Sequence, residues 1–210
     1  MRMDTSCNVA LVRGKASWGA HKTGRVEFVH NKRAVVLPIS YDERCAPYVP
    51  GDNMLVSLAD EGNCCACAWM GHAPKSNVAG LGVDLVSPQY FEPRHDTKRF
   101  TDHIFSPLEH ALAPNLCGND LSFAYAVLFG AKEAAFKATA RPLRLWYMTH
   151  DEPLGFEVRD FGMVEPGRMR GELRHKAAQH ALDAMGIRHI EVEWKSADGM
   201  ALVVAYAMTE

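Results

Sequence analysis

Residues 121–140 limit more than any other stretch how this chain can fold. The run opens Leu121-Ser122-Phe123-Ala124-Tyr125-Ala126-Val127-Leu128-Phe129, and its first charges are Lys132 and Glu133. The pattern predicts a helix, with Asn119 or Asp120 as N-cap and Pro142 marking its end. A helix apolar on nearly every side is buried nearly all round. Phe129, Glu133 and Lys137 fall at i, i+4 and i+8 and so share one stripe, with Phe136 beside it. A Glu–Lys pair at this spacing is very often only a surface pair worth a few tenths of a kcal/mol. Charges at the edge of a buried helix, by contrast, need partners. A divalent cation for Glu133 and phosphates for Lys132 and Lys137 would supply them.

The 210 residues suit one large domain or two smaller halves. We place the boundary in the polar link at residues 71–77, giving a β-rich first half, 1–77, and a longer second half, 78–210, that is richer in helix. In the first half, Arg25-Val26-Glu27-Phe28-Val29 alternates and Ala34-Val35-Val36-Leu37 is a short apolar run. Residues 45–52, with Pro47, Pro50 and Gly51, read as a loop, and residues 54–69 read as a hairpin turning at Asp60-Glu61-Gly62. In the second half, residues 78–86, 143–148 and 156–159 read as strands. Residues 167–185 read as a helix stopped by Gly186. Residues 190–194 alternate, turn at Asp198-Gly199 and return as a buried strand over 200–208. Residues 59–69 faintly echo residues 197–206, so each half is expected to hold the same hairpin, unless two hairpins are merely alike.

In Gly80-Leu81-Gly82-Val83-Asp84-Leu85-Val86 the strand period puts Leu81, Val83 and Leu85 on a core face. Gly80, Gly82 and Asp84 lie on the other face, where a ligand or another backbone can approach closely. One carboxylate is a poor metal site, so a second acid must come from elsewhere. Taken alone, Asp84 reads more simply as a strand-end aspartate facing solvent.

Together the two motifs resemble the 4′-phosphopantetheinyl transferase superfamily. Its paired signature stands here as Gly82-Val83-Asp84 and Phe129-Gly130-Ala131-Lys132-Glu133-Ala134-Ala135-Phe136-Lys137. Arg99-Phe100, Phe105-Ser106 and Glu109 also match a family segment. The resemblance implies an α+β fold of two sheet-plus-helix halves in a pseudo-twofold arrangement. It implies Mg²⁺ held by Asp84 and Glu133, and catalysis by Glu133, Lys137 and Asp84. It also implies coenzyme A as substrate, contacted by Lys132 and Lys137, and an acyl or peptidyl carrier protein as acceptor.

The chain departs from the pattern of the two-halved members at two places. Val86 stands where they carry a third acid, as in the short holo-acyl-carrier-protein synthases. Residues 57–62 lack the histidine of their Ser-His pair. Lys22, Arg25, Lys32 and Arg33 are candidates for the 3′-phosphate of coenzyme A, or a solvated basic face.

A formal net charge of −2 excludes the global basic field of a nucleic-acid binder. Arg94, His95, Lys98 and Arg99 nonetheless form a local basic patch suited to an acidic carrier. We see no signal peptide and no apolar run long enough for a membrane span, so the expected place is the cytoplasm, with reduced thiols. A monomer follows if the first half completes the site, and a homo-oligomer if it does not. Two other readings are a carrier or coenzyme A binding module without catalysis, and a thiol or metal protein built on Cys64, Cys65 and Cys67. For these cysteines a buried strand is the simpler expectation.

Overall fold

The computed structural model describes residues 7–13, 24–30, 33–42, 46–71, 77–93, 97–143, 156–160, 167–173 and 176–209. The elements before the boundary are β1 (Asn8–Arg13), β2 (Gly24–His30), β3 (Arg33–Tyr41), β4 (Pro47–Tyr48), β5 (Met54–Glu61) and β6 (Cys64–Gly71). After it come β7 (Val78–Val86), a 3₁₀ turn (Pro88–Phe91), α1 (Thr97–Ile104), α2 (Pro107–Leu116) and α3 (Leu121–Leu143). The chain closes with β8 (Phe156–Asp160), β9 (Arg168–Leu173), α4 (Lys176–Ala184), β10 (His189–Ala197) and β11 (Met200–Met208).

Strands and helices stack in layers, an α+β arrangement. One three-stranded sheet runs β2-β3-β4, a second runs β1-β6-β5, and a five-stranded sheet runs β7-β11-β10-β9-β8. Their pairings are antiparallel. Side-chain alternation decides what each face touches. Leu37 and Ile39 of β3 pack against Val56, Cys67 and Trp69 of the middle sheet. The opposite face of that sheet, Ala59, Ala66, Ala68 and Met70, packs on Leu81, Val83, Leu85, Leu202 and Val204. The halves therefore share one core. Val203, Ala205 and Ala207 point the other way, under Ala131, Ala134, Ala135 and Ala138 of α3.

The buried-strand expectation holds for Cys65 and Cys67 on β6, while Cys64 at the strand's start is half-buried; burial pushes the Cys67 thiol up to about 12. Both expected hairpins form. The β10–β11 pair turns at Asp198-Gly199, where both residues have positive φ (53° and 77°). The β5–β6 pair turns slightly later than expected, at Gly62-Asn63, between the partners Glu61 and Cys64.

Other expectations need correction. Residues 167–185 are not one helix. Residues 168–173 form β9, because Arg168-Met169-Arg170 alternates: Met169 is buried while both arginines reach Glu191 on β10. Only α4 is helical there, and Gly186 follows it with φ 78°. Helix α3 runs one residue past Pro142, to Leu143, so the proline sits in its last turn instead of ending it. Within residues 45–52, Pro47 and Tyr48 pair with β3 as a two-residue strand. Among the described residues of the first half there are strands only, so the helix expected there is not seen. The strand expected at 143–148 falls largely outside the described residues. Among the described residues no helix is long and apolar enough to cross a membrane.

Candidate active site

The site begins with two glycines. A Cβ on Gly80 would sit 1.9 Å from the Ala138 carbonyl oxygen, and one on Gly82 would sit 1.9 Å from that of Ala134. The backbone of α3 therefore rests directly on β7, which only glycine permits. Pro142 has no N–H for the Ala138 carbonyl, which instead lies against Gly80. The open glycine face is thus filled by a backbone, not by a ligand.

Asp84 is the next residue on that face. The Lys137 ammonium donates to its Oδ1 at 2.8 Å and to the Val83 carbonyl at 3.0 Å. The two side chains are 29% and 12% exposed, so the pair is mostly but not wholly withdrawn from solvent. Glu133 lies one turn earlier on the same stripe, near enough for its charge and that of Asp84 to act on each other. Burial, then Asp84, pushes the Glu133 carboxyl up to about 7, with Lys137 pulling the other way. Burial raises Asp84 as well, partly offset by Lys137.

Lys132 takes a different course. It lies about 100° around the helix from Glu133, and its ammonium meets Glu109 at 2.7 Å with both side chains fully buried. Glu109 also closes a capping box on α2: its carboxylate accepts from the Ser106 backbone N–H while the Ser106 hydroxyl accepts from the Glu109 N–H. The Phe105 ring lies 6.0 Å from the ammonium. This placement sets the Lys132 ammonium inside the α2–α3 contact, apart from the meeting of Lys137 with Asp84. The sequence Ser106-Pro107-Leu108-Glu109 carried the capping signal for α2, but nothing in it named Lys132 as partner.

The first half reaches this site through residues the sequence did not single out. Ser57 is buried on β5, and its hydroxyl accepts the Val83 N–H at 2.9 Å, one residue from Asp84. Glu61, at the end of β5, accepts the Tyr90 hydroxyl at 2.9 Å and adds a smaller upward push on Asp84. These contacts come from the stretch that lacks histidine. Phe129, on the Glu133 stripe, meets Phe91 at 6.0 Å between ring centres, which fixes the 3₁₀ turn carrying Tyr90.

Among the described residues no group of three or more His, Cys, Asp or Glu is arranged to hold a metal by itself. The available donors are the Asp84 and Glu133 carboxylates. That set fits a hard cation that keeps water and takes its remaining ligands from a substrate's phosphates. On α1, Lys98 pairs with Asp102 while Arg99 and Phe100 are exposed. Arg94, His95, Lys22 and Lys32 lie outside the described residues; Arg25 and Arg33 lie on β2 and β3.

Comparison with known proteins follows the same lines. No curated protein sequence matches the chain. Solved structures similar to it include a Helicobacter pylori holo-[acyl-carrier-protein] synthase in complex with coenzyme A, at 20% identity and TM-score 0.43, covering 60% of this chain and 96% of that one. A holo-ACP synthase from Plasmodium yoelii gives 20% identity and TM-score 0.45, covering 63% of this chain and 96% of that one. A Bacillus anthracis holo-(acyl-carrier-protein) synthase gives 18% identity and TM-score 0.44, covering 64% and 100%. The family described as the 4′-phosphopantetheinyl transferase superfamily matches residues 80–185, just over half of the chain, and takes in Asp84, Glu109, Lys132, Glu133 and Lys137. The chain belongs to the 4′-phosphopantetheinyl transferase superfamily.

Proposed function

We propose that the chain transfers the 4′-phosphopantetheine group of coenzyme A to a serine of an apo carrier protein, with Mg²⁺, releasing 3′,5′-ADP. The observation that carries this reading is the meeting of Asp84, Glu133 and Lys137 where α3 rests on β7, within the segment matched to the family. Asp84 and Glu133 would hold the cation, which supplies charge neutralisation at the pyrophosphate. Phosphoryl transfer asks mainly for positioning and electrostatic stabilisation. Glu133 takes the proton of the attacking serine hydroxyl, directly or through water. Lys137 neutralises charge on the departing 3′,5′-ADP or protonates it. Lys132 holds α2 against α3 through Glu109 and does not touch substrate.

We read the chain as two halves, residues 1–77 and 78–210, of a holo-acyl-carrier-protein-synthase-type enzyme at work in the cytoplasm. Contacts of Ser57 and Glu61 with the β7 side support a site completed within one chain, hence a monomer. Lys98, Arg99 and Phe100 on α1 offer a basic and apolar face to an acidic carrier. Incubating acidic apo carriers with coenzyme A and Mg²⁺ should add the mass of phosphopantetheine, and Asp84→Ala or Glu133→Ala should each abolish the gain. No gain across a panel of carriers would replace this reading with a binding module that lacks catalysis. Reversing the charge of Lys98 and Arg99 should weaken carrier binding at low salt; unchanged affinity would remove α1 from the docking face.

A further inference from the structure

One ammonium serves the acidic cleft in two ways. Lys137 occupies Asp84 Oδ1 at 2.8 Å, and it is also anchored to the Val83 carbonyl at 3.0 Å. It offsets the charge of both Asp84 and Glu133. A carboxylate has two oxygens, but two cations held at the same carboxylate repel each other. The Lys137 side chain is 29% exposed, on a flexible four-carbon stem, and so has room to swing outward.

We propose that Lys137 is a displaceable counter-ion of Asp84, and that it must release Asp84 for a divalent cation to be accepted there. This rests on the reading of Asp84 and Glu133 as the cation's ligands. The ammonium that leaves Asp84 is then free for the phosphates of coenzyme A, so one side chain is handed from the protein's acid to the substrate's. It follows that cation binding is weak in the absence of coenzyme A, because Lys137 opposes it.

The test uses Mn²⁺ as spin probe without coenzyme A, on the full chain, together with brief acetylation of lysines read by mass spectrometry. Lys137→Met should bind Mn²⁺ about tenfold more tightly than the parent. In the parent protein, Mg²⁺ alone should raise acetylation of Lys137 severalfold as the ammonium leaves Asp84. Asp84→Asn should lose Mn²⁺ binding. If Asp84→Asn loses binding but Lys137→Met binds no more tightly, or if Lys137 acetylation is unmoved by Mg²⁺, the exchange is wrong and the metal assignment survives. Mn²⁺ binding unaltered in Asp84→Asn overturns the metal assignment and the exchange together. The acetylation arm needs no variant, so a misfolded Lys137→Met does not leave the question open.

Discussion

Lys132 and Lys137 stand five residues apart on α3, both paired to a carboxylate, and they do opposite things. Lys132 and Glu109 are sealed between α2 and α3, with neither side chain exposed. Lys137 and Asp84 face the cleft at 29% and 12% exposure. Taking two charges out of water is expensive, and losing one partner of a sealed pair strands the other. A pair that keeps part of its surface in water is less costly to separate than a fully sealed one. Position on the helix turns one lysine into a fastener and leaves the other available for chemistry.

The widest gap between the two pairs should show in stability. Glu109→Ala leaves Lys132 buried without its partner and should cost about 3–5 kcal/mol in denaturant unfolding. It also removes half of the capping box. The double variant Glu109→Leu with Lys132→Met should recover most of that loss, since apolar groups often replace a buried ion pair without penalty. A double variant as unstable as Glu109→Ala would break the contrast. Next in size, Gly82→Ala drives a Cβ into the Ala134 carbonyl and should cost about 1–3 kcal/mol through overpacking. It should also lift α3 off β7 and lower phosphopantetheine transfer well beyond what the lost stability explains. A stability change smaller than that of Glu109→Ala is expected for Lys137→Met, because this pair keeps some exposure where the other has none. Its transfer rate should nonetheless collapse, which a purely structural lysine would not produce.

A different kind of change is a slope with pH. Glu133 is raised from 4.5 to about 7 in the folded protein, so between those values the folded state holds more protons than the unfolded one. Stability contributed by protonated Glu133 is therefore lost as pH rises from 4.5 through 7, and Asp84, also raised, adds the same sign. Glu133→Gln should flatten that fall in a series of unfolding curves. An unchanged slope would mean that the cleft carboxylates are better solvated than their burial implies.

Much of this was open to reading where local pattern and tertiary role agree. β7 spans the expected residues because its alternation, its glycines and its apolar face all point one way. Asp120 accepts the Phe123 N–H, as an N-cap should. Residues 168–173 misled because Arg168 and Arg170 suit a helix as well as a strand. Their strand character comes from Glu191, whose carboxylate they hold below its usual range despite its burial. The burial of Lys132 against Glu109 was equally hidden, because only the angle around α3 separates it from its neighbour Glu133. The contact of Glu61 with Tyr90 spans 29 positions and leaves no local trace. Nor does any periodicity announce that the β2-β3-β4 sheet caps the middle one through Leu37 and Ile39.

The seat of α3 on Gly80 and Gly82 has one more result. No side chain intervenes where helix and strand touch, so while both glycines stay their separation is fixed by main-chain dimensions that substitutions elsewhere do not alter. Drift among the surrounding valines and alanines can remodel the interior without moving Glu133 relative to Asp84. The gap between the two acids is gauged, like a bearing on its race, by the hardest parts of the molecule.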